Sequence, residues 1–314
     1  MLCGLTVLAV VITSVEAAKP RPLNHKDEAL LQKLEARIDA IDQGFDGALG
    51  IAIQDLGSGR RILRHADEVF PTASVIKIAV LAELFRQDQQ AQNGKARLMD
   101  PYVADAKDVI EGSSMLQGMT PGVTRLTNHD LATFMIGVSD NGATNVLIDR
   151  VGLDNVNGLL EGLGLKETRL RRKMLDVAAA REGRENTSTP LELLTLLTRL
   201  QSGEVLDEAH TAGFLAALAT ASRQGVLDSF LRVPEIVPHA TKTGWLEGIR
   251  AEAGFVFATK RPFAIVVMTG LAGDENAAED VIGAIGAAAL QAFERLGRSS
   301  PQGRVLYPRG EQSP

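Results

Sequence analysis

Three short motifs, met in one order along the chain, could together perform acyl transfer: Ser74-Val75-Ile76-Lys77, Ser139-Asp140-Asn141 and Lys242-Thr243-Gly244. Ser74 offers a nucleophilic hydroxyl. Lys77 lies three residues on and returns to the same face of a helix, where a desolvated amine can take the hydroxyl proton. Ser139 is a second hydroxyl suited to relaying a proton, and Asn141 an amide that can bond a substrate amide. Lys242 sets the local field and, with Thr243, can hold a substrate carboxylate. Gly244 lets a ligand approach the backbone closely. The backbone N–H groups of Ser74 and Trp245 are the candidate oxyanion donors. Such chemistry needs no cofactor and no metal, and none is expected.

Each motif taken singly has an ordinary explanation. A serine at a helix start is a common N-cap, and a lysine beside it can snorkel. Ser-Asp-Asn makes a good helix–helix turn. Lys-Thr-Gly can open a strand beside a turn glycine. What separates the chain from this bland reading is that each element occurs once, in the right order, and in a different structural setting.

Those settings follow from periodicity. Asp27 to Ile41 places Leu30, Leu31, Leu34, Ile38 and Ile41 on one helical face. Ala48–Leu56 reads as a strand, and Gly57-Ser58-Gly59 as the turn to a second strand near Ile62. Ser74–Phe85 reads as a helix too apolar for a surface position. Further helical patterns cover 129–138, 145–151, 156–163, 191–200 and 206–218. Lys242-Thr243-Gly244 precedes strand-like stretches at 251–258 and 263–269, and an Ala-rich helix runs from Glu275 to Leu296. Two strands at the start and about three at the end predict an α/β (α+β) fold. Its five-stranded antiparallel sheet is built from both chain ends, flanked by helices, with an inserted helical lobe.

The 314 residues include 45% hydrophobic and 23% charged side chains, which suits one soluble globular domain. The net charge of -6 argues against non-specific nucleic-acid binding. Leu5–Val15 has the length of a signal-peptide core and is followed by Ala17 and Ala18, although no basic residue precedes it. Export to the periplasm or exterior is expected, with an N-terminal anchor as the other reading. The expected organisation is a signal peptide over 1–18, a tether over 19–26, one domain over 27–297 and a disordered tail over 298–314. Within the domain, 27–72 and 225–297 form the α/β part and about 73–224 the lobe. Cys3 is the only cysteine and falls in the leader, so a processed chain has neither disulfide nor thiol chemistry. His25, His65, His129, His210 and His239 form no metal-binding pattern. A monomer acting on a small or peptide-like substrate with a carboxylate is expected.

The motif set resembles that of the class A β-lactamase family. The likeness extends to Phe70-Pro71-Thr72-Ala73, Asn141-Gly142-Ala143-Thr144-Asn145, Thr168-Arg169-Leu170 and Thr187-Ser188-Thr189-Pro190, and runs from about Asp27 to Leu296. The resemblance implies acylation of Ser74, Lys77 as its base, and a loop glutamate after Leu170 that activates the deacylating water. This chain departs from the pattern there. It reads Arg171-Arg172-Lys173-Met174-Leu175-Asp176-Val177, so Lys173 or Met174 stands in the glutamate's place, Asp176 falls near an expected asparagine, and the loop is about one residue short. Glu182 and Glu185 follow in a stretch that reads as solvated surface. Three functions stay open at this level: a hydrolase of β-lactams or related amides with slow turnover; a penicillin-binding or D,D-peptidase-like protein or esterase; and a non-catalytic binder of cell-wall peptides or β-lactams.

Overall fold

The first strand of this chain is completed by its last. The computed structural model describes residues 22–91, 95–223, 229–234 and 236–306, with the side chains of 222 and 223 excepted. Along the chain, α1 (His25–Gly44) is followed by β1 (Ala48–Asp55), β2 (Arg61–Arg64), β3 (Phe70–Pro71), α2 (Lys77–Gln90), β4 (Pro101–Val103) and β5 (Arg125–Thr127). Next come α3 (Asn128–Gly137), α4 (Asn141–Val151), α5 (Leu153–Gly162), α6 (Val177–Arg181), β6 (Thr187–Ser188), α7 (Pro190–Gln201), α8 (Glu208–Leu218) and α9 (Thr220–Arg223). The chain ends in β7 (His239–Leu246), β8 (Ile249–Val256), β9 (Phe263–Gly270) and α10 (Glu275–Arg298).

The main sheet has the order β2-β1-β9-β8-β7, and every pair in it is antiparallel. β9 lies at its centre and is buried at all eight positions, which is why it reads as an unbroken apolar run rather than an alternation. One face of the sheet (Ala52, Ala253, Phe255, Val266, Met268) packs under the helical lobe, with Val80, Leu84, Leu194 and Leu197. The other face (Leu49, Ile51, Ile53, Ile265, Val267) is covered by Leu31, Leu34 and Ile38 of α1 and by Ile282, Ile285 and Phe293 of α10. α1 starts where the sequence offers a capping box: Asn24 accepts from the Lys26 and Asp27 N–H groups, and Asp27 accepts from the Asn24 N–H.

The expected antiparallel five-strand sheet with helices on both faces is therefore present. Several local expectations are not. The helix expected from Ser74 begins as a 3-10 turn over Ala73–Ile76, and α2 proper starts at Lys77. Asn141, read as part of a turn, is the first residue of α4, which begins four residues before the expected Asn145. The ladders β3–β6 and β4–β5 span two and three residue pairs and are too short for periodicity to announce. The expected tether gives way to α1 at His25. Part of the expected disordered tail folds back: Ser299 bridges Val305, while the carbonyls of Pro301 and Gln302 accept from Asn24 and Lys26. The signal-peptide segment and residues 307–314 lie outside the described residues. Among the described residues no helix is long and apolar enough to cross a membrane.

Candidate active site

The turn that carries Ser74 is held from two sides. The short ladder of Phe70 and Pro71 with Ser188 and Thr187 is extended by Thr72, whose N–H and hydroxyl donate to the Asn186 carbonyl at 2.9 and 3.1 Å. Ala73 then takes a left-handed φ of 46°, unusual for a residue with a Cβ, and the chain turns into the 3-10 segment. From the other side β7 presses against this turn. A Cβ on Gly244 would stand 2.7 Å from the Thr72 carbonyl oxygen and 3.1 Å from the Ala73 Cβ. Glycine is what lets the strand and the turn that carries Ser74 touch.

One turn on, Lys77 is fully buried. Its ammonium nitrogen lies 2.7 Å from the Ser139 carbonyl oxygen, 3.0 Å from Ser139 Oγ and 3.0 Å from Asn141 Oδ1. No carboxylate pairs with it among the described residues. Burial, reinforced by the nearby Lys242 charge and only partly opposed by Asp140, holds its pKa well below the ordinary lysine value. An amine held this way gives up its proton more readily than an ordinary lysine.

The Ser139–Asn141 corner is built around the middle residue. Asp140 is fully buried; its Oδ1 caps α4 by accepting from the Ala143 N–H, and its Oδ2 accepts from the Met115 and Leu116 N–H groups. That anchor fixes Ser139 in a left-handed conformation, φ 56°, with its hydroxyl on Lys77. Asn141 splits its amide: Oδ1 accepts from Lys77, and Nδ2 reaches the Glu111 carbonyl at 3.4 Å.

β7 forms the open edge of the sheet. Trp245 pairs in register with Arg250, whose own N–H and C=O engage Thr269 Oγ1 on the opposite side at 3.0 and 3.1 Å. Trp245 and Arg250 are therefore a non-hydrogen-bonded pair, and the Trp245 N–H points off the free edge. Thr243, two residues earlier, shares that orientation. The Trp245 indole is two-thirds exposed and lies over the Arg250 guanidinium at 5.5 Å, which Glu275 and Glu279 hold in place. Lys242 is fully buried and donates to the Thr243 carbonyl at 2.9 Å. Burial lowers its pKa to about 8, opposed by Glu252.

The loop after Leu170 resolves the choice between Lys173 and Met174. Asn145 clamps the Met174 backbone from both sides, accepting its N–H at 2.8 Å and donating to its carbonyl at 3.1 Å. Met174 faces the cavity, whereas Lys173 turns to the surface and pairs with Asp149. Asp176 caps α6 through the Ala179 N–H. Glu182 pairs with Arg184 on the surface, as expected of a solvated stretch. Glu185 does not: it lines the cavity and pairs with Arg172 at 2.8 Å.

Ser74, Ser139, Asn141, Thr243 and Trp245 meet on one cavity of about 1060 Å³, with Met174, Leu175, Arg172 and Glu185 on its loop side. Lys77, Lys242 and Gly244 are buried among the residues that build this wall and do not line the open space. The motifs gave no sign of Asn145 as the loop's clamp or of the Arg172–Glu185 pair. The Asp140 anchor carried a partial signal, as an Asp placed to cap the helix that follows it.

A model of the "Beta-lactamase enzyme family" matches residues 33–293. The chain is 27% identical over 233 residues to "Beta-lactamase SME-1" of Serratia marcescens, covering 73% of this chain and 74% of that protein. It is 26% identical to the "Carbapenem-hydrolyzing beta-lactamase KPC" of Klebsiella oxytoca, covering 74% and 75%. Among solved structures, a beta-lactamase from Sphaerobacter thermophilus superposes with TM-score 0.71 at 30% identity, covering 83% of this chain and 97% of that one. PBP-A shares the fold, with TM-score 0.73 at 23% identity and coverage of 88% and 98%.

Proposed function

The chain belongs to the beta-lactamase enzyme family, and from that premise we propose that it forms an acyl-enzyme on Ser74 with a β-lactam or related amide and hydrolyses it slowly. The observation that carries the reading is the Lys77 ammonium nitrogen, buried, without a carboxylate, and 3.0 Å from the Ser139 hydroxyl. Ser74 Oγ attacks the carbonyl carbon while its proton passes to the neutral Lys77 amine. The Ser74 and Trp245 N–H groups stabilise the oxyanion. As the C–N bond breaks, Ser139 gives its proton to the leaving nitrogen and recovers one from Lys77, which returns to its starting state. Thr243, under the field of Lys242, holds the substrate carboxylate, and Asn141 its amide. The domain acts as a monomer without a cofactor, and export to the periplasm or exterior belongs to the same reading. N-terminal sequencing of the mature protein checks that export.

Met174 in the glutamate's place favours a second reading, in which the acyl-enzyme persists and the chain acts as a penicillin-binding or D,D-peptidase-like protein or an esterase. Intact-mass spectrometry after mixing with a penicillin, on wild type and Ser74→Ala, separates the cases. An adduct on wild type alone, shed with product, is the expected result. A permanent adduct, with turnover of D-Ala-D-Ala peptides or short esters instead, selects the second reading. No adduct and no turnover on wild type ends both.

A further inference from the structure

A hydrolase still needs to activate water, and the position where its family carries a carboxylate here holds Met174. One other loop carboxylate reaches the cavity. Glu185 sits on the loop that runs into β6, two residues before the β3–β6 ladder begins. Pro71 pairs with Thr187, and Thr72 bonds the Asn186 carbonyl twice. Glu185 immediately precedes this bonded Asn186, and it lines the same cavity as Ser74. The Asn186 side chain locks the facing strand by accepting from the Arg171 and Arg172 N–H groups at 2.7 and 3.0 Å.

The carboxylate itself is half engaged. Arg172 bonds only Oε2, through Nη2 at 2.8 Å and Nε at 3.3 Å. Oε1 has no partner among the described residues, and the side chain is partly open to the cavity. The cavity's other two carboxylates lie at the β7–β8 end, where Glu279 is bound to Arg250 and Glu247 is on the exposed turn. An ion pair that spends one oxygen of a cavity-lining carboxylate and leaves the other without a partner can orient a base as well as tie a loop.

We propose that Glu185 is the general base of deacylation, acting on water through Oε1 from the opposite end of the loop to Met174. This rests on the acylation of Ser74 proposed above. The water oxygen attacks the acyl carbonyl carbon while its proton moves to Glu185. The ester bond to Ser74 Oγ then breaks, and the proton held by Glu185 passes to the departing Ser74 oxygenate, leaving free acid and the starting enzyme. Arg172 is a positioning residue.

The acyl-enzyme is formed with benzylpenicillin, excess reagent is removed, and loss of the mass adduct is timed for wild type, Glu185→Gln and Arg172→Ala. Wild type is expected to shed the adduct, and Glu185→Gln to do so about 10²-fold more slowly or worse, with the rate of adduct formation changed by less than about threefold. Arg172→Ala keeps the carboxylate and loses the pair, so it should shed the adduct at least tenfold faster than Glu185→Gln. If the two variants slow equally, the pair is only a strut and the proposal falls. It falls too if Glu185→Gln sheds at the wild-type rate, or if wild type never sheds. Failure of wild type to form any adduct overturns the acylation reading, and this proposal with it.

Discussion

Among the described residues, two of the places that bury cations away from water are built in opposite ways. At the start of the sheet, Arg261 is 2% exposed and meets Asp55 with two bonds, Nε at 3.0 Å and Nη2 at 2.6 Å. Asp55 also accepts from the Gly57 N–H and the Ser58 hydroxyl, so every charge there is answered. At the cavity, Lys77 and Lys242 are just as deeply buried, and the groups that bond them are neutral oxygens. A buried ion pair holds a turn in place and has no reason to exchange protons. Buried amines without a carboxylate partner give up their protons easily, which is costly for stability and useful for chemistry.

The comparison breaks most sharply at Lys77. Lys77→Met removes the base and is expected to lower the rate of Ser74 acylation by about 10²- to 10⁴-fold, read by stopped-flow or timed mass spectrometry, with little loss of melting temperature. A variant that acylates at the wild-type rate would make the lysine a structural filler like any other.

How far this was visible beforehand differs residue by residue. Ser74, Lys77, Ser139, Asn141 and Thr243 announce themselves because acyl transfer demands particular side-chain types, and spacing along a helix or strand makes neighbours of them. The sheet was visible because β9 and β1 are long apolar runs. The left-handed Ala73 and Ser139 were not, since neither residue type prefers that conformation. They are imposed by tertiary bonds at Thr72 and Asp140. The place of Met174 was ambiguous by one residue and is settled by the Asn145 clamp, a contact across 29 positions that no local pattern records. Glu185 looked solvated because its neighbours are charged, and its pairing with Arg172 on the cavity wall is a contact across 13 positions that no local pattern records.

At the paired site the expected effect is on stability rather than rate. Asp55→Ala strands a buried guanidinium and should cost about 3–5 kcal/mol, lowering the melting temperature by roughly 10 °C, while acylation per folded molecule is unchanged. Calorimetry with a mass-adduct assay on the same sample checks both halves. Loss of acylation in a fully folded Asp55→Ala would erase the division between scaffold and chemistry.

The pH profile sharpens the division further. Acylation should rise as pH increases through the lowered pKa of Lys77, because the free amine is the base, and fall again near pH 8 as Lys242 loses the charge that attracts the substrate carboxylate. The alkaline fall, about fivefold between pH 8 and pH 9 for a group with a pKa of about 8, should appear with a carboxylate-bearing penicillin and vanish with a neutral ester. If both substrates decline together, Lys242 is not the group that titrates.

The smallest effect comes from making the second region resemble the first. Met174→Glu places a carboxylate on the cavity wall, which stabilises protonated Lys77 and should move the rising limb of the acylation profile to higher pH. An unmoved limb would show that the Met174 position is electrostatically remote from Lys77.

The pairing of Ala48 with Gly270 and of Asp55 with Phe263 has a consequence in time as well as in space. The hairpin made first during synthesis has one edge that only the last strand, β9, covers, so the sheet cannot close before Gly270 has been made. Contacts of such long sequence separation form slowly and leave apolar edges open in the interval. This protein must be kept loose until its final quarter arrives, and a chain held in that state is also one that can be threaded.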